Sequence, residues 1–197
     1  MNDEIGVGPH PKPWPTDEKY DQHLLAEGDS RNVVDKYRYW TVQAIKADLD
    51  MHRRPLEIAI ENLQRDFNIG TIVRSANAFN VKAVHIIGKK QWNKRGAMVT
   101  DTYMHIQYHA KVADFVKAAQ GKQLLAIDIV PGAVDMMDAK MDEDAVLIFG
   151  GEGPGLSNEM LEAAHQVLKI EQAGSTRSVN VGVAAGIAMY AWTIQHR

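Results

Sequence analysis

Three short segments hold residue types that a turn does not need. They are Asn68-Ile-Gly-Thr-Ile-Val-Arg74, Phe149-Gly-Gly-Glu-Gly-Pro-Gly-Leu-Ser157 and Ser175-Thr-Arg-Ser-Val-Asn180. An arginine on an amphipathic helix usually pairs with a surface acid, but Arg74 is surrounded by Ile69, Ile72, Val73, Ala76 and Phe79, with no acid near in sequence. That context makes Arg74 a candidate for chemistry. Gly150, Gly151, Gly153 and Gly155 let the backbone bend sharply and approach a ligand closely, and Glu152 among them has little structural purpose. Neither common phosphate fingerprint fits. No Gly-Lys-Ser/Thr follows, and the dinucleotide Gly-x-Gly-x-x-Gly belongs early in a βαβ unit. Ser178 and Asn180 read two ways, as an N-cap with a turn-bonded asparagine or as a polar pair of a site. Arg177 suits either a phosphate or a carboxylate partner.

Between Asp66 and Asp101 there is no acid, while Arg74, Lys82, Lys89, Lys90, Lys94 and Arg95 all fall there. Lys89-Lys-Gln-Trp-Asn-Lys-Arg95 places Trp92 among four cations, a composition that attracts phosphate backbones and offers a ring to an unpaired base. The alternative is a solvated loop whose Trp92 plugs the core. His105 and His109 lie four apart in a strand-like segment without a third ligand, so no metal site is expected there. Asp128 either touches a ligand or begins a turn, and 135–144 reads as a solvated acidic loop.

The elements that position these groups alternate after Pro55. Leu56–Ile60, Ala83–Ile87, Ile106–Tyr108, Leu124–Ile127, Val146–Phe149 and Val167–Ile170 read as strands. Helices are expected over Ile69–Phe79, Val112–Ala119, the segment capped by Ser157, and Ser178–Ile194. This order implies an α/β domain with a mostly parallel sheet covered by helices on both faces. Each of the three segments then joins a strand end to a helix start, the edge where open α/β sheets bind ligands. Val183, Ile187, Tyr190, Ala191 and Ile194 form an apolar stripe suited to core or dimer packing. Residues 1–54 form an N-terminal extension, extended or disordered over 1–30 because of its prolines and helical from Val33 to about Arg53. Residues 55–197 form the globular domain.

In type and order the three segments resemble the signature motifs of the SpoU/TrmH family of RNA 2′-O-ribose methyltransferases, a resemblance spanning roughly residues 56–197. It implies a C-terminal trefoil knot through the second and third motifs, S-adenosylmethionine as cofactor, a tRNA or rRNA substrate, and a homodimer formed through the knot region. Methylating a ribose 2′-hydroxyl requires removing a proton from a poor acid while its oxygen attacks a sulfonium methyl in line. The resemblance gives Arg74 the activating role, with Asn68, Glu152, Ser178 and Asn180 completing the catalytic set. It makes Ile127, Gly150, Gly155, Ile170 and Val179 the cofactor cradle, and leaves Lys89, Lys90, Trp92, Lys94, Arg95 and Arg177 to the RNA. The chain departs from the pattern at Glu171 and Gln172, where the family usually has Pro-Met.

Bulk properties agree with a cytoplasmic enzyme: 197 residues, net charge −3, no cysteine, and no apolar run near the roughly 18 residues of a membrane helix. Two nearby readings stay open, a catalytically impaired RNA-binding protein and a base methyltransferase on the same fold. A small-molecule nucleotide enzyme is disfavoured by the missing phosphate-loop lysine.

Overall fold

Strand β1 (Arg54–Asn62) sits near the middle of the sheet, and from Leu56 onward every residue is buried. Its alternation sorts the two faces of the sheet. Leu56, Ile58 and Ile60 enter the larger core cluster, whereas Ala59 enters the smaller one. The computed structural model describes residues 6–62, 68–151, 155–176 and 178–197. The chain divides into two compact units, 1–52 and 53–197.

In the larger unit β1 is followed by α3 (Asn68–Ala78), β2 (Val81–Gly88), β3 (Ile106–His109), α4 (Val112–Ala118), β4 (Leu124–Ile127) and β5 (Val134–Asp135). Then come β6 (Val146–Phe149), α5 (Asn158–Ala163), β7 (Gln166–Lys169) and α6 (Val181–Gln195). The seven strands lie in the order β3-β2-β1-β6-β4-β7-β5, and every pair is parallel. Strand β6 is thus inserted between β1 and β4, both of which precede it in the chain. Ile69, Ile72, Val73 and Ala76 of α3 and Ala185, Ala188, Met189 and Trp192 of α6 cover one face. Phe115 of α4 and Met160 of α5 cover the other. Among the described residues no helix is long and apolar enough to cross a membrane.

Segment 134–145 differs from the solvated acidic loop expected. Met136, Ala139 and Met141 are buried, and the two-residue β5 pairs with β7. The acids turn outward while α6 holds the backbone. Gln195 donates to Ala139 O (3.0 Å) and accepts from Met141 N (3.1 Å), and Trp192 Nε1 donates to Asp142 O (2.9 Å). Helix α6 begins at Val181 rather than Ser178, because Asn180 and not Ser178 caps it.

In the smaller unit the structure differs from the extended or disordered start expected. Helix α1 (Gln22–Glu27) is capped by Asp21, Leu25 is fully buried, and Val7 and Asp29 exchange backbone hydrogen bonds of 3.0 and 2.8 Å. Buried Asp29 organises the unit by accepting from Arg31 Nε (2.8 Å), Arg31 Nη2 (2.7 Å) and Tyr39 N (2.9 Å). Burial pushes its pKa up, but these donors outweigh burial and hold it at about 2. The single helix expected from Val33 is broken. Tyr39 takes a left-handed φ of 63°, and Thr41 starts α2 (Val42–Asp50) afresh by accepting from Ala44 N (3.1 Å).

Candidate active site

A cavity of about 470 Å³ opens at the carboxyl ends of β4, β6 and β7. Its size lies within the roughly 300–1,000 Å³ usual for small-molecule sites. Ile127, Phe149, Ile170, Val179 and Ala184 supply apolar walls, and Asp128, Gln172, Ser178 and Asn180 supply polar groups. Gly150 and Gly155 line it as well, so the five expected cradle residues converge on one space.

The Gly-rich turn is built by close backbone approach. A Cβ on Gly150 would overlap the Gly155 carbonyl and come within 2.6 Å of Leu156 N. The need for glycine at 150 therefore arises inside the loop itself. Gly155 has φ 68°, and a Cβ there would lie 2.9 Å from Asp128 Oδ2. Asp128 fastens this loop to the end of β4, accepting from Leu156 N (3.2 Å) and Ile129 N (2.7 Å). Glu61 ties the next helix to β1, since its Oε2 accepts from Ser157 N (2.8 Å) while Ser157 Oγ caps α5 through Met160 N (3.1 Å). Glu152 lies outside the described residues, as does Arg177.

The first and third segments meet through two asparagines. Asn180 Oδ1 accepts from Gly182 N (2.9 Å) and Val183 N (3.3 Å), which caps α6. Its Nδ2 donates to Asn68 Oδ1 at 2.9 Å. One side chain thus serves both readings open in the sequence, cap and site. Gly182 makes the approach possible, since a Cβ there would sit 3.0 Å from Thr71 Cγ2 of α3. Arg74 lies further along α3 with its side chain exposed, and Ser178 is exposed at the cavity.

Lys89, Lys90, Lys94 and Arg95 are exposed on the loop after β2. Asn62, buried at the end of β1, holds the loop's base by donating to Lys89 O (2.5 Å) and Gln91 O (3.2 Å). Trp92 is half-buried and packs against the main core. Lys94 pairs with Asp101 at 2.7 Å, and that hydrogen bond and charge raise its pKa. The loop rests on α3, where a Cβ on Gly70 would meet Ala97 N at 2.8 Å.

His109 faces another histidine. His85 Nε2 meets Glu57 Oε2 at 3.0 Å, and His85 Nδ1 meets His109 Nε2 at 2.9 Å. Lys122 pairs with Glu57 as well, and Lys82 lies 3.6 Å from it. Burial pushes the Glu57 carboxyl up, but His85 and Lys122 hold it at about 2. Burial, then the neighbouring His85, pushes His109 down. Among the described residues no group of three or more His, Asp or Glu could hold a metal ion.

Sequence reasoning did not single out Glu57, Glu61, Asn62 or His85, and it left Asp128 undecided. The available signal was polar residues within or ending buried apolar strands, which cost free energy unless partnered.

The sequence model of the SpoU rRNA methylase family matches residues 55–190. The tRNA (guanosine(18)-2′-O)-methyltransferase of Escherichia coli is 27% identical over 144 residues, covering 70% of this chain. The chain spans only 63% of that relative's length. A solved structure described by its work on 2′-OH methylation of C/U34 on tRNA has a TM-score of 0.65 and 27% identity, covering 72% of this chain and 95% of that one. An AdoMet-bound rRNA methyltransferase from Sinorhizobium meliloti has a TM-score of 0.65 and 25% identity, covering 74% and 59%. With three motifs gathered at one sheet edge and a family match over most of its length, the chain belongs to the SpoU rRNA methylase family.

Proposed function

We propose that the protein transfers a methyl group from S-adenosylmethionine to a ribose 2′-hydroxyl of tRNA or rRNA. The observation that carries this reading is the Asn180–Asn68 hydrogen bond, which joins the cavity wall to the helix bearing Arg74. The mixed lining fits the cofactor, with apolar side chains for an adenosine and close-packed glycine backbone beside them. When bound, the cofactor supplies an electrophilic sulfonium methyl.

Ile127, Ile170 and Val179 hold the adenosine, and Gly150 and Gly155 bring backbone against it. Asp128 keeps the Gly-rich loop on β4. Asn180 fixes Asn68 at the start of α3. Arg74 stays charged, since a guanidinium pKa lies above about 12, and it clamps an RNA phosphate and aligns the hydroxyl. Ser178 adds a polar group at the cavity, and the motif assigns Glu152 to the same reaction. Lys89, Lys90, Lys94, Arg95 and Arg177 receive the RNA, with Trp92 of the same loop packed on the core.

Insertion of β6 between β1 and β4 supports a trefoil knot in residues 55–197, to which 1–54 is an extension. Val183 (54% exposed), Ile187 (41%), Tyr190 (51%) and Ile194 (47%) form an apolar stripe on α6, which supports a homodimer through this helix. A cytoplasmic location accords with an RNA substrate.

The test is incubation with tritiated S-adenosylmethionine and total tRNA or rRNA, followed by alkaline hydrolysis. Label in alkali-resistant dinucleotides is the expected result, because a 2′-O-methyl blocks cleavage. Label in mononucleotide bases would make it a base methyltransferase, and cofactor binding without transfer would make it an RNA-binding relic.

A further inference from the structure

The basic loop and edge strand β3 together build an alternation of cations and rings. Lys90 Nζ lies 5.1 Å from the centroid of Tyr108, and Lys94 Nζ lies 5.7 Å from that of Trp92. Trp92 Nε1 donates to Tyr108 Oη at 3.4 Å, linking the two rings. Their burial differs. Trp92 packs on the core, whereas Tyr108 is 40% exposed on the outermost strand of the sheet. Core packing holds Trp92, whereas Tyr108 keeps part of its ring open to solvent beside the exposed Lys90.

Resting on the reading of the protein as an RNA ribose methyltransferase, we infer that Tyr108 is a stacking platform for an unpaired base of the substrate. Its ring offers a π-face to any base. Lys90 stands on a long, mobile stem, so it can exchange the ring for the phosphate that accompanies the base. Trp92 braces the tyrosine hydroxyl from behind, and Asp101 holds Lys94 in place. The platform is tied to the active-site helix, because a Cβ on Gly70 would stand 3.0 Å from Asn93 O of the same loop. A base that stacks there must be unpaired, since a duplex keeps its faces covered.

Binding of labelled oligoadenylate, and of an RNA duplex of equal length, tests this on the full chain. Tyr108→Ala should weaken oligoadenylate binding roughly 5- to 150-fold, the range for one stacked base, with the salt slope unchanged. Duplex affinity and melting temperature should stay near wild type. Tyr108→Phe keeps the ring and should bind within about twofold of wild type, since stacking needs no hydroxyl. Lys90→Ala should lower the log–log salt slope by about 0.7, one single-strand phosphate. Wild-type oligoadenylate affinity in Tyr108→Ala overturns the platform, as does an equal loss in Tyr108→Phe. If wild type transfers methyl to RNA ribose while Tyr108→Ala binds normally, the platform alone falls. If wild type transfers none, the ribose methyltransferase reading falls.

Discussion

Two polar constellations occupy one sheet, and they differ in where their hydrogen bonds end. Glu57, His85 and His109 form a chain whose members satisfy one another under Phe115, with Lys122 and Lys82 balancing the carboxylate. Ionised Glu57 accepts from His85 Nε2–H, and one proton lies between His85 Nδ1 and His109 Nε2. Asn68 and Asn180 instead meet at an open edge, where Ser178 is exposed at the cavity, and Arg74 is exposed further along α3. Buried polar groups with internal partners hold a fold together, whereas an open edge leaves donors for a ligand. The contrast teaches that polarity in a strand or helix does not by itself mark a site.

The sharpest test of the contrast is a mutation at the open edge. Arg74→Ala should lower methyl transfer by roughly two to four powers of ten, the scale of one positioned group in the transition state. Stability should move by no more than about 0.5 kcal/mol, as for other exposed positions. Arg74→Lys should not restore turnover, because a point charge lacks the planar fork. Single-turnover rates beside thermal melts decide it, and a large loss of stability would place Arg74 in the structural class.

The converse mutation is buried. Glu57→Ala removes the carboxylate facing His85, Lys122 and Lys82 and should cost about 3–5 kcal/mol, the scale for breaking a buried ionic group. Urea denaturation reads the loss, while the folded fraction should keep its turnover. Reduced turnover at unchanged stability would merge the two constellations.

Asn180 stands between the classes, as helix cap and partner of Asn68. Asn180→Ala should cost about 0.5–2 kcal/mol for the cap. Asn180→Asp keeps the capping oxygen but cannot donate to Asn68, so it should keep stability and still lose methyl transfer. If both variants lose only stability, Asn180 is a cap alone.

The smallest effect is a pH dependence to which the buried chain contributes at both ends, with Asp29 adding to its acid limb. The lowered pKa of His109 means the folded state prefers it neutral, so its contribution is present above about 6.5 and is lost as pH falls below that. Glu57 has its pKa lowered from 4.5 to about 2, so its contribution persists down to about pH 4.5 and is lost between there and about 2. Melting temperature against pH should therefore fall in two steps, and His109→Leu should remove the upper one. An upper step that survives in His109→Leu assigns it elsewhere.

The walls of the cavity were largely legible in the sequence. Ile127, Gly150, Gly155, Ile170, Val179, Ser178 and Asn180, which the motif resemblance grouped, all line one cavity, because the apolar runs of β4, β6 and β7 end side by side there. Strand and helix order was legible for the same reason, since a periodicity of two or of 3.6 reports which face each residue turns to the core. What stayed hidden depends on partners remote in the chain. Glu57 and His85, 28 residues apart, become partners through the parallel register of β1 and β2. Asn68 and Asn180, 112 residues apart, meet because Gly182 lets α6 approach Thr71. The break at Tyr39, the burial of Met136 and Met141, and the exposure of Tyr108 beside a half-buried Trp92 were equally out of reach. The sequence by itself determined the alternation of elements, since it follows from local patterns of hydrophobicity and turn chemistry, while its three motifs grouped the site residues by family resemblance. Only the tertiary structure decided which polar groups satisfy one another and which stay open to a ligand, because hydrogen-bond partnership is set by register and helix approach between segments distant in the chain.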